Sequence, residues 1–457
     1  MDESATAWAM TEFGDAALGD PRRGRRLVTM GAALARHPAG RVTRAFGGGA
    51  EREAAYRFVA NGGFSWRDLA AASHAAAATR AAAHARVIVP IDGVAFTMVS
   101  RSQGFGPIAN KTHGGGAHAM TALALTPEGV PLGMLGHSWW TRSRAAAPTY
   151  ATDRRPVVER ETGHWLRVLD QATAALRRHA PSTRPWFQLD RGGDCADVLL
   201  RAIELRADVT VRACYDRVVT GGKLWAQAAA GTFLGTYRLQ LRRPGTRARV
   251  ATIAMRVREV ELHLRPGPMG RGPVRPTKMR VVEARERNRK AGVCWRLLTT
   301  LPVTTTRDAM RVIVAYTRRW RIEELHLAWK SGACGIEHSW MREREHFFKW
   351  ATILSAVAAR LERIKLLSRS EPDRPALDEF TRDEIDAAIA LRKPKGVALG
   401  AVPSLGTMTR WVADIGGYTG KSSGGPPGIR VLGYGLERVT AAAEAIATIR
   451  KDPGSRG

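Results

Sequence analysis

Five consecutive apolar residues, at positions 87–91 and mostly β-branched, limit the folds open to this chain. A strand without a polar position has both faces buried, as in the centre of a mixed or parallel sheet. Asp92 follows this run directly, and Asp190 follows a second run at 186–189. A helical pattern at 161–178 lies between the two runs. The sequence therefore predicts a covered α/β sheet in which two strands each end in an aspartate.

Hydrophobic periodicity predicts the elements around these strands. Residues 119–125 and 130–138 indicate a hairpin, because a Pro-Glu-Gly turn separates them. Residues 195–206 then indicate a helix and 209–212 a strand. Residues 237–290 alternate between apolar and polar positions and hold sixteen basic and four acidic residues. We expect this segment to be a basic, β-rich insertion, followed by a strand at 293–299.

A long helical pattern at 307–330 contains no Gly or Pro. Tyr316, Arg319, Glu323 and Lys330 are 3, 4 and 7 positions apart, which places them on one helix face at about 100° per residue. A surface pair such as Arg319 and Glu323 is common and adds only about 0.2–0.5 kcal/mol by itself. The pattern also predicts three residues for the core side of the helix: Trp320, Ile322 and Trp329.

The two strand-end aspartates and the helix carboxylate suggest a common site. Two carboxylates from neighbouring strands and one from a covering helix suit a two-metal phosphoryl-transfer centre. Oxygen ligands favour Mg²⁺ or Mn²⁺ over zinc. Each aspartate alone is weak evidence, because an aspartate at a strand end often only caps the next turn. Together, Asp92, Asp190 and Glu323 form a stronger hypothesis.

The charge of the chain points to a polyanionic partner. There are 71 Lys and Arg against 42 Asp and Glu, a net charge of +29, and 60 of the basic residues are arginines. Arginine pairs with phosphate bidentately, so nucleic acid is the expected partner. Codon bias in a GC-rich genome is an alternative source of the Arg/Lys ratio, although it does not explain the net charge. Residues 21–67 concentrate ten arginines against two glutamates in a predicted helical module.

Other classes of protein are disfavoured. The four cysteines lie far apart without a CxxC spacing, which indicates neither a zinc module nor a disulfide framework. The N-terminus has no apolar leader, and no apolar run is long enough to cross a membrane. We expect a soluble protein of the cytoplasm, associated with the nucleoid and not with a membrane.

The helix from Tyr316 to Lys330 resembles the Tyr-x2-Arg-x3-Glu-x6-Lys signature of the insertion-sequence 4 family of DDE transposases. The similarity extends through most of residues 8–365. Further matching segments, in family order, are Ala17 to Arg23 with Arg26-Leu27, Ala55 to Phe58, Trp139-Trp140 with Arg142, Glu161 to Gly163 with Trp165-Leu166, and Asp190-Arg191 with Asp194.

The resemblance implies a fold and an active site. It implies an α/β, ribonuclease-H-like catalytic core of the retroviral-integrase superfamily at 69–370, with the β-rich insertion at about 219–300. A helical domain at 1–68 would bind transposon ends, and a mainly helical domain at 371–457 would dimerise. Asp92, Asp190 and Glu323 would be the DDE ligands of two Mg²⁺ ions, for which Mn²⁺ would substitute.

The same resemblance assigns DNA contacts. Trp295 would stack on a base flipped out of the duplex during hairpin formation, which fits the energy of base–aromatic stacking. The remaining residues expected to contact DNA are Arg22, Arg23, Arg26, Arg57, Arg212, Arg217, Tyr316, Arg319 and Lys330.

The implied reaction is cut-and-paste transposition by a homodimer in a synaptic complex. Its partners would be double-stranded DNA at the terminal inverted repeats and the target DNA. One site would nick each end, form and open a hairpin, and join the ends to the target. Two alternatives remain open: a ribonuclease-H-fold nuclease without strand transfer, and a domesticated DNA-binding protein without catalysis.

Overall fold

The N-terminal part of the chain is helical, as its sequence predicts. The computed structural model describes residues 3–98, 104–108, 115–143, 153–241, 249–289, 291–421 and 425–451. Its first helices are α1 (Glu3–Phe13), α2 (Pro21–Arg36), α3 (Val42–Ala45) and α4 (Gly49–Ala60). Asp20 caps α2 by accepting a hydrogen bond from the backbone N–H of Arg22, and Pro21 takes the first helical position. The predicted start of this helix is therefore confirmed.

One half of a larger mixed sheet consists of five strands. Its strands are β1 (Arg86–Met98), β2 (Gly115–Leu125), β3 (Pro131–Trp140), β4 (Arg184–Leu189) and β5 (Asp208–Arg212). Their spatial order is β3-β2-β1-β4-β5. β4 is parallel to both β1 and β5, whereas β2 pairs antiparallel with β1 and with β3. The arrangement is consistent with a ribonuclease-H-like core, and the predicted hairpin is confirmed as β2 and β3.

Helices cover both faces of this sheet. They include α5 (Trp66–Ala81), α6 (Thr162–His179) and α7 (Ala196–Glu204). Val87, Val89 and Ile91 join one hydrophobic cluster, whereas Ile88 and Phe96 join the other. The prediction that this strand is buried on both faces is confirmed, as is the α/β fold class.

One strand boundary differs from the prediction. Asp190 directly follows β4, as expected, but Asp92 lies inside β1, which continues to Met98. β4 pairs with β1 only as far as Ile91, while β2 pairs with β1 over its whole second half. Asp92 therefore marks the end of the parallel ladder and not the end of the strand.

The basic segment is β-rich and extends the same sheet. The elements in and beside it are β6 (Val218–Val219), β7 (Gly222–Lys223), α8 (Leu224–Ala229), β8 (Thr232–Leu241), β9 (Arg249–Leu264), β10 (Arg275–Glu286) and β11 (Cys294–Thr299). β11 pairs antiparallel with β5, β10 with β11, and β9 with β10. The predicted β-rich character is confirmed for the described part. Residues 242–248 and 290 of this segment lie outside the described residues.

The predicted helix at 307–330 consists of two abutting helices, α9 (Thr306–Arg318) and α10 (Trp320–Lys330). Arg319 joins them with nearly helical angles (φ −51°, ψ −34°), so the two helices continue closely into one another. Ile322 and Trp329 are fully buried, as predicted. Placing Trp320 in the core was wrong, because it is 59% exposed. Two positions along a helix turn a side chain by about 200°, so Trp320 and Ile322 face opposite ways.

Helix α11 (Arg344–Ser370) is buried along most of its length and packs on β3 and α10. The remaining helices are α12 (Arg382–Arg392), α13 (Leu405–Ile415) and α14 (Ile429–Lys451). Short 3-10 turns lie at Val157–Glu159, Arg191–Gly193, Pro268–Gly270, Ile336–His338 and Ala376–Asp378. Within the described ranges, no helix is both long and apolar enough to cross a membrane.

Candidate active site and nucleic-acid contacts

Asp92 and Asp190 are neighbours because their strands are parallel. Ile91 and Leu189 are paired across β1 and β4, and each aspartate is the next residue along its strand. The Asp190 carboxylate also accepts a hydrogen bond from Gly192 N at 2.8 Å, so it caps the following turn. Asp190 therefore caps the turn that follows β4, and it also lies next to Asp92, as the predicted site requires.

Glu323 reaches the same region from α10, which packs on β1. The Arg319 guanidinium links the two elements: its Nη1 lies 3.2 Å from Asp92 Oδ2, and its Nη2 lies 2.5 Å from Glu323 Oε1. The side chain of Arg319 is 13% exposed. One largely buried cation thus holds two of the three predicted carboxylates.

Negative charge is concentrated around Asp92. Burial, together with the charges of Asp190 and Glu323, raises the pKa of its carboxyl to about 6. Arg319 and the backbone N–H of Gly93 act in the opposite direction but do not cancel the effect. Ionised Asp92 is therefore energetically costly, and a further positive charge at this place would relieve that cost.

The carboxylate oxygens are of the type that binds a divalent cation. Their positions in this structure, however, do not form a coordination site. Carboxylate oxygens are the ligands that Mg²⁺ prefers. Across the described ranges, however, no group of three His, Cys, Asp or Glu side chains stands ready to hold a metal ion. The guanidinium of Arg319 holds Asp92 and Glu323 to itself. Metal binding at this site therefore requires Arg319 to release at least one carboxylate.

Tyr316, Trp295 and Arg212 border the carboxylates. Burial raises the pKa of the Tyr316 hydroxyl, which also experiences the charges of Arg319, Arg212 and Asp190. The Trp295 ring meets the Tyr316 ring edge-on, with centroids 5.6 Å apart. The structure thus groups Trp295, Arg212 and Arg319, all predicted to contact DNA, around Tyr316, which also lies near Asp190.

Lys330 and Arg217 are engaged within the protein. Lys330 Nζ donates to the carbonyl of Ala95 at 2.7 Å, on β1 beyond Asp92. Arg217 Nη2 lies 2.5 Å from Oδ1 of Asp194, and its side chain is only 19% exposed. Arg217 therefore braces the turn that follows Asp190.

The N-terminal arginines divide into exposed and bracing side chains. Arg22 is 82% exposed and pairs with Asp20 at 2.9 Å, while Arg57 is 72% exposed and lies 3.5 Å from Glu53. Arg23 donates to the Leu18 carbonyl at 2.8 Å. Arg26 is half-buried on α2. The stated contacts all lie within the N-terminal segment. The structure therefore shows no contact between these arginines and the three carboxylates among the residues that it describes.

A contact beneath the site is not among those that the sequence predicts. Thr121 on β2 is fully buried, and its Oγ1 lies 2.8 Å from Nε2 of His326 on α10. His326 stands three residues after Glu323, a spacing that places both on one side of the helix. The spacing of Glu323 and His326 therefore indicates that His326 faces the site. The strand register that places Thr121 opposite Asp92 is not visible in the sequence.

Comparison with known protein families finds two matches. Residues 5–63 match the family model described as transposase DNA-binding, and residues 169–360 match the model described as transposase DDE domain. Asp190 and Glu323 lie within the second match, and Asp92 precedes it. The helices with the exposed arginines lie within the first match.

Proposed function

We propose that this chain, which matches a transposase DNA-binding domain and a DDE transposase domain, is a cut-and-paste transposase of the insertion-sequence 4 family, similar to the transposon five group. The observation that carries the proposal is the convergence of Asp92 and Glu323 on Arg319, with Asp190 on the adjacent strand. A nucleic-acid cleavage site built from carboxylates alone suits hard cations and phosphodiesters.

In this proposal Asp92, Asp190 and Glu323 hold two Mg²⁺ ions, which Mn²⁺ replaces. Bound there, the ions supply activation of the attacking oxygen and stabilisation of the leaving oxygen. Arg319 exchanges its carboxylate partners for a phosphate of the transposon end, because a guanidinium binds either group bidentately. Its release leaves Asp92 and Glu323 available to the cations.

Neighbouring residues position the DNA. Arg212 and Tyr316 flank Asp190 and contact phosphates beside the scissile bond. Lys330, at the end of α10 beside Ala95 of β1, contacts a phosphate further away. Trp295 stacks on a flipped base, and its edge-on contact with Tyr316 holds the indole at the site. These contacts orient the duplex for four successive displacements: nicking, hairpin formation, hairpin opening and strand transfer.

The exposed arginines of the N-terminal helices bind the terminal inverted repeats. Arg22 and Arg57 present most of their side chains to solvent, as phosphate or groove contacts require. A second copy of the chain completes the synaptic complex and cleaves in trans. The domains are proposed at 1–68 for end binding, 69–370 for catalysis and 371–457 for dimerisation.

The test uses a linear duplex that ends in the inverted repeat flanking the gene, incubated with the protein and Mg²⁺. We expect nicked, hairpin and target-joined products in succession. Nicks without hairpins or joined products would favour a nuclease of the same fold. Binding without any cleavage would favour a domesticated DNA-binding protein.

Trp295→Ala tests the hairpin step separately. Loss of about 1–3 kcal/mol of stacking slows hairpin formation about 5- to 150-fold but leaves the first nick unchanged. Trp225→Ala is the matched control, because Trp225 packs against the other hydrophobic cluster, beneath Arg296. Equal effects of both substitutions on the hairpin step would contradict a stacking role for Trp295.

A further inference from the structure

A buried polar contact joins the strand pair that carries Asp92 to the helix that carries Glu323. His326 on α10 and Thr121 on β2 meet at 2.8 Å between Nε2 and Oγ1. Thr121 is fully buried, and His326 is 7% exposed. Two polar side chains in such surroundings would each lose a necessary partner if the contact broke.

The same threonine touches the strand at Asp92. Thr121 and Asp92 are directly paired across β1 and β2, and Thr121 Oγ1 lies 3.4 Å from the Asp92 carbonyl oxygen. His326 is one helical turn from Glu323. A line of contacts therefore runs from the Asp92 backbone through Thr121 and His326 to the turn of α10 that presents Glu323.

The imidazole in this line is neutral. Burial, together with the positive charges of Lys330 and Arg319, lowers the pKa of His326 to about 3. A neutral imidazole carries one N–H and one acceptor nitrogen. If Nε2 bears the proton, it donates to Thr121 Oγ1, and the hydroxyl is then free to donate to the Asp92 carbonyl. His326 does not transfer protons at working pH, so its contribution is geometric.

Arg319 also connects Asp92 with Glu323. In the proposed reaction this connection is broken. Once Arg319 turns to a DNA phosphate, its bridge from Asp92 to Glu323 is lost. The contact between Thr121 and His326 lies below the site and does not depend on that guanidinium.

We propose that Thr121 and His326 are positioning residues that hold Glu323 in register with Asp92 when Arg319 is engaged with DNA. The inference rests on the proposed function, in which these carboxylates act together. Neither residue touches the reacting atoms.

The test separates positioning from folding by a double substitution. Thr121→Val leaves His326 without its partner, and His326→Leu leaves Thr121 without its partner, so each variant should melt at a lower temperature. Replacing both together removes the buried polar pair and should restore much of the stability. Thr173→Val is the matched control, because the Thr173 hydroxyl is buried without a hydrogen-bond partner in the structure.

Two functional readouts are measured on the full-length protein. Mn²⁺ affinity, followed by electron paramagnetic resonance with end DNA bound so that Arg319 has released the carboxylates, should weaken about 10- to 100-fold in the double variant. Single-turnover cleavage of end DNA should slow about 100-fold, because small misplacements of reacting groups have effects of that size. End binding without metal should stay at the wild-type level, and Thr121→Ser should retain wild-type behaviour.

The outcomes distinguish this inference from the proposed function. Wild-type Mn²⁺ affinity in the stable double variant would show a merely structural role and overturn the inference. Weakened Mn²⁺ affinity, with no end cleavage even by wild-type protein, would support the positioning role and overturn the transposase function. An absence of Mn²⁺ binding by wild-type protein would overturn the inference itself.

A second pair of variants applies if the double variant does not fold. His326→Gln keeps an amide at the Nε2 position within reach of Thr121, whereas the shorter side chain of His326→Asn does not reach it. Higher Mn²⁺ affinity in His326→Gln than in His326→Asn supports positioning. Equal affinity in the two variants overturns it.

Discussion

The burial of Asp92 among other carboxylates lowers the free energy of unfolding at neutral pH. Its carboxyl is largely buried beside Asp190 and Glu323, and its pKa is raised to about 6 from an ordinary value of 3.8. Because the folded chain retains this proton to a higher pH than the unfolded chain, the free energy of unfolding falls as the pH rises from about 4 to about 6. The loss is about 3 kcal/mol at most.

Asp92→Asn should therefore stabilise the metal-free protein at pH 7. Its free energy of unfolding, measured by urea denaturation between pH 4 and 7, should lack the fall that wild-type protein shows over this range. Thr173→Val serves as a control that keeps the wild-type pH dependence. A less stable Asp92→Asn at pH 7, or an unchanged pH profile, would contradict the electrostatic description of the site.

At the level of residues, the sequence predicts the charged groups of the candidate site but not the contacts between them. Asp92, Asp190 and Glu323 were predictable because a charged residue after a buried strand, or on a helix face rich in cations, is conspicuous. The bridge through Arg319 and the contact between Thr121 and His326 depend on strand register and helix rotation, which single-sequence patterns do not determine.

At the level of elements, continuous apolar runs and periodicity predicted most strands and helices. Two features of the elements were not predicted. β1 runs past Asp92 because β2 continues the ladder beyond the last residue that β4 pairs, and α9 separates from α10 at Arg319 without a Gly or Pro to mark the junction. Both departures lie at the site, where tertiary contacts outweigh local preference.

Helix α2 allows a test that separates capping from charge. Asp20 caps the helix through Arg22 N and also binds the Arg22 guanidinium. Asp20→Asn keeps a capping oxygen and removes the charge, so urea unfolding should stay near wild type while end-DNA affinity rises. Asp20→Ala should lower the urea midpoint, because the cap is lost. If Asp20→Asn leaves end affinity unchanged in gel-shift titrations, Arg22 does not contact the DNA.

At the scale of the whole molecule, a continuous sheet runs from the ribonuclease-H-like core into the basic insertion. β5 and β11 form the seam, with Trp295 on the insertion side and Arg212 on the core side. The composition predicted this concentration of charge, whereas the joining of the two parts into one sheet required the structure. Nucleic-acid binding by such a chain should depend strongly on counterion release.

The salt dependence of end binding measures how many arginines meet phosphate. Replacing Arg22 and Arg57 together by alanine should reduce the slope of log affinity against log salt by about 2, since each lost phosphate contact removes about 1. Arg201→Ala is the matched control, because Arg201 already pairs with Asp170 at 2.7 Å and with Glu204. Equal slopes for the double variant and the control would place the end-binding surface elsewhere.

The central claim is that Asp92, Asp190 and Glu323 form one site for DNA strand cleavage. The most direct test compares Glu323→Gln with Glu324→Gln. The wild-type Glu324 side chain is a suitable control because it pairs with Arg321 at 2.7 Å. Both proteins are assayed for end binding by gel shift and for strand cleavage of the same end DNA with Mg²⁺. We predict that Glu323→Gln binds the end like wild type but does not cleave it, whereas Glu324→Gln does both. Cleavage by Glu323→Gln at the wild-type rate would contradict this account of the protein.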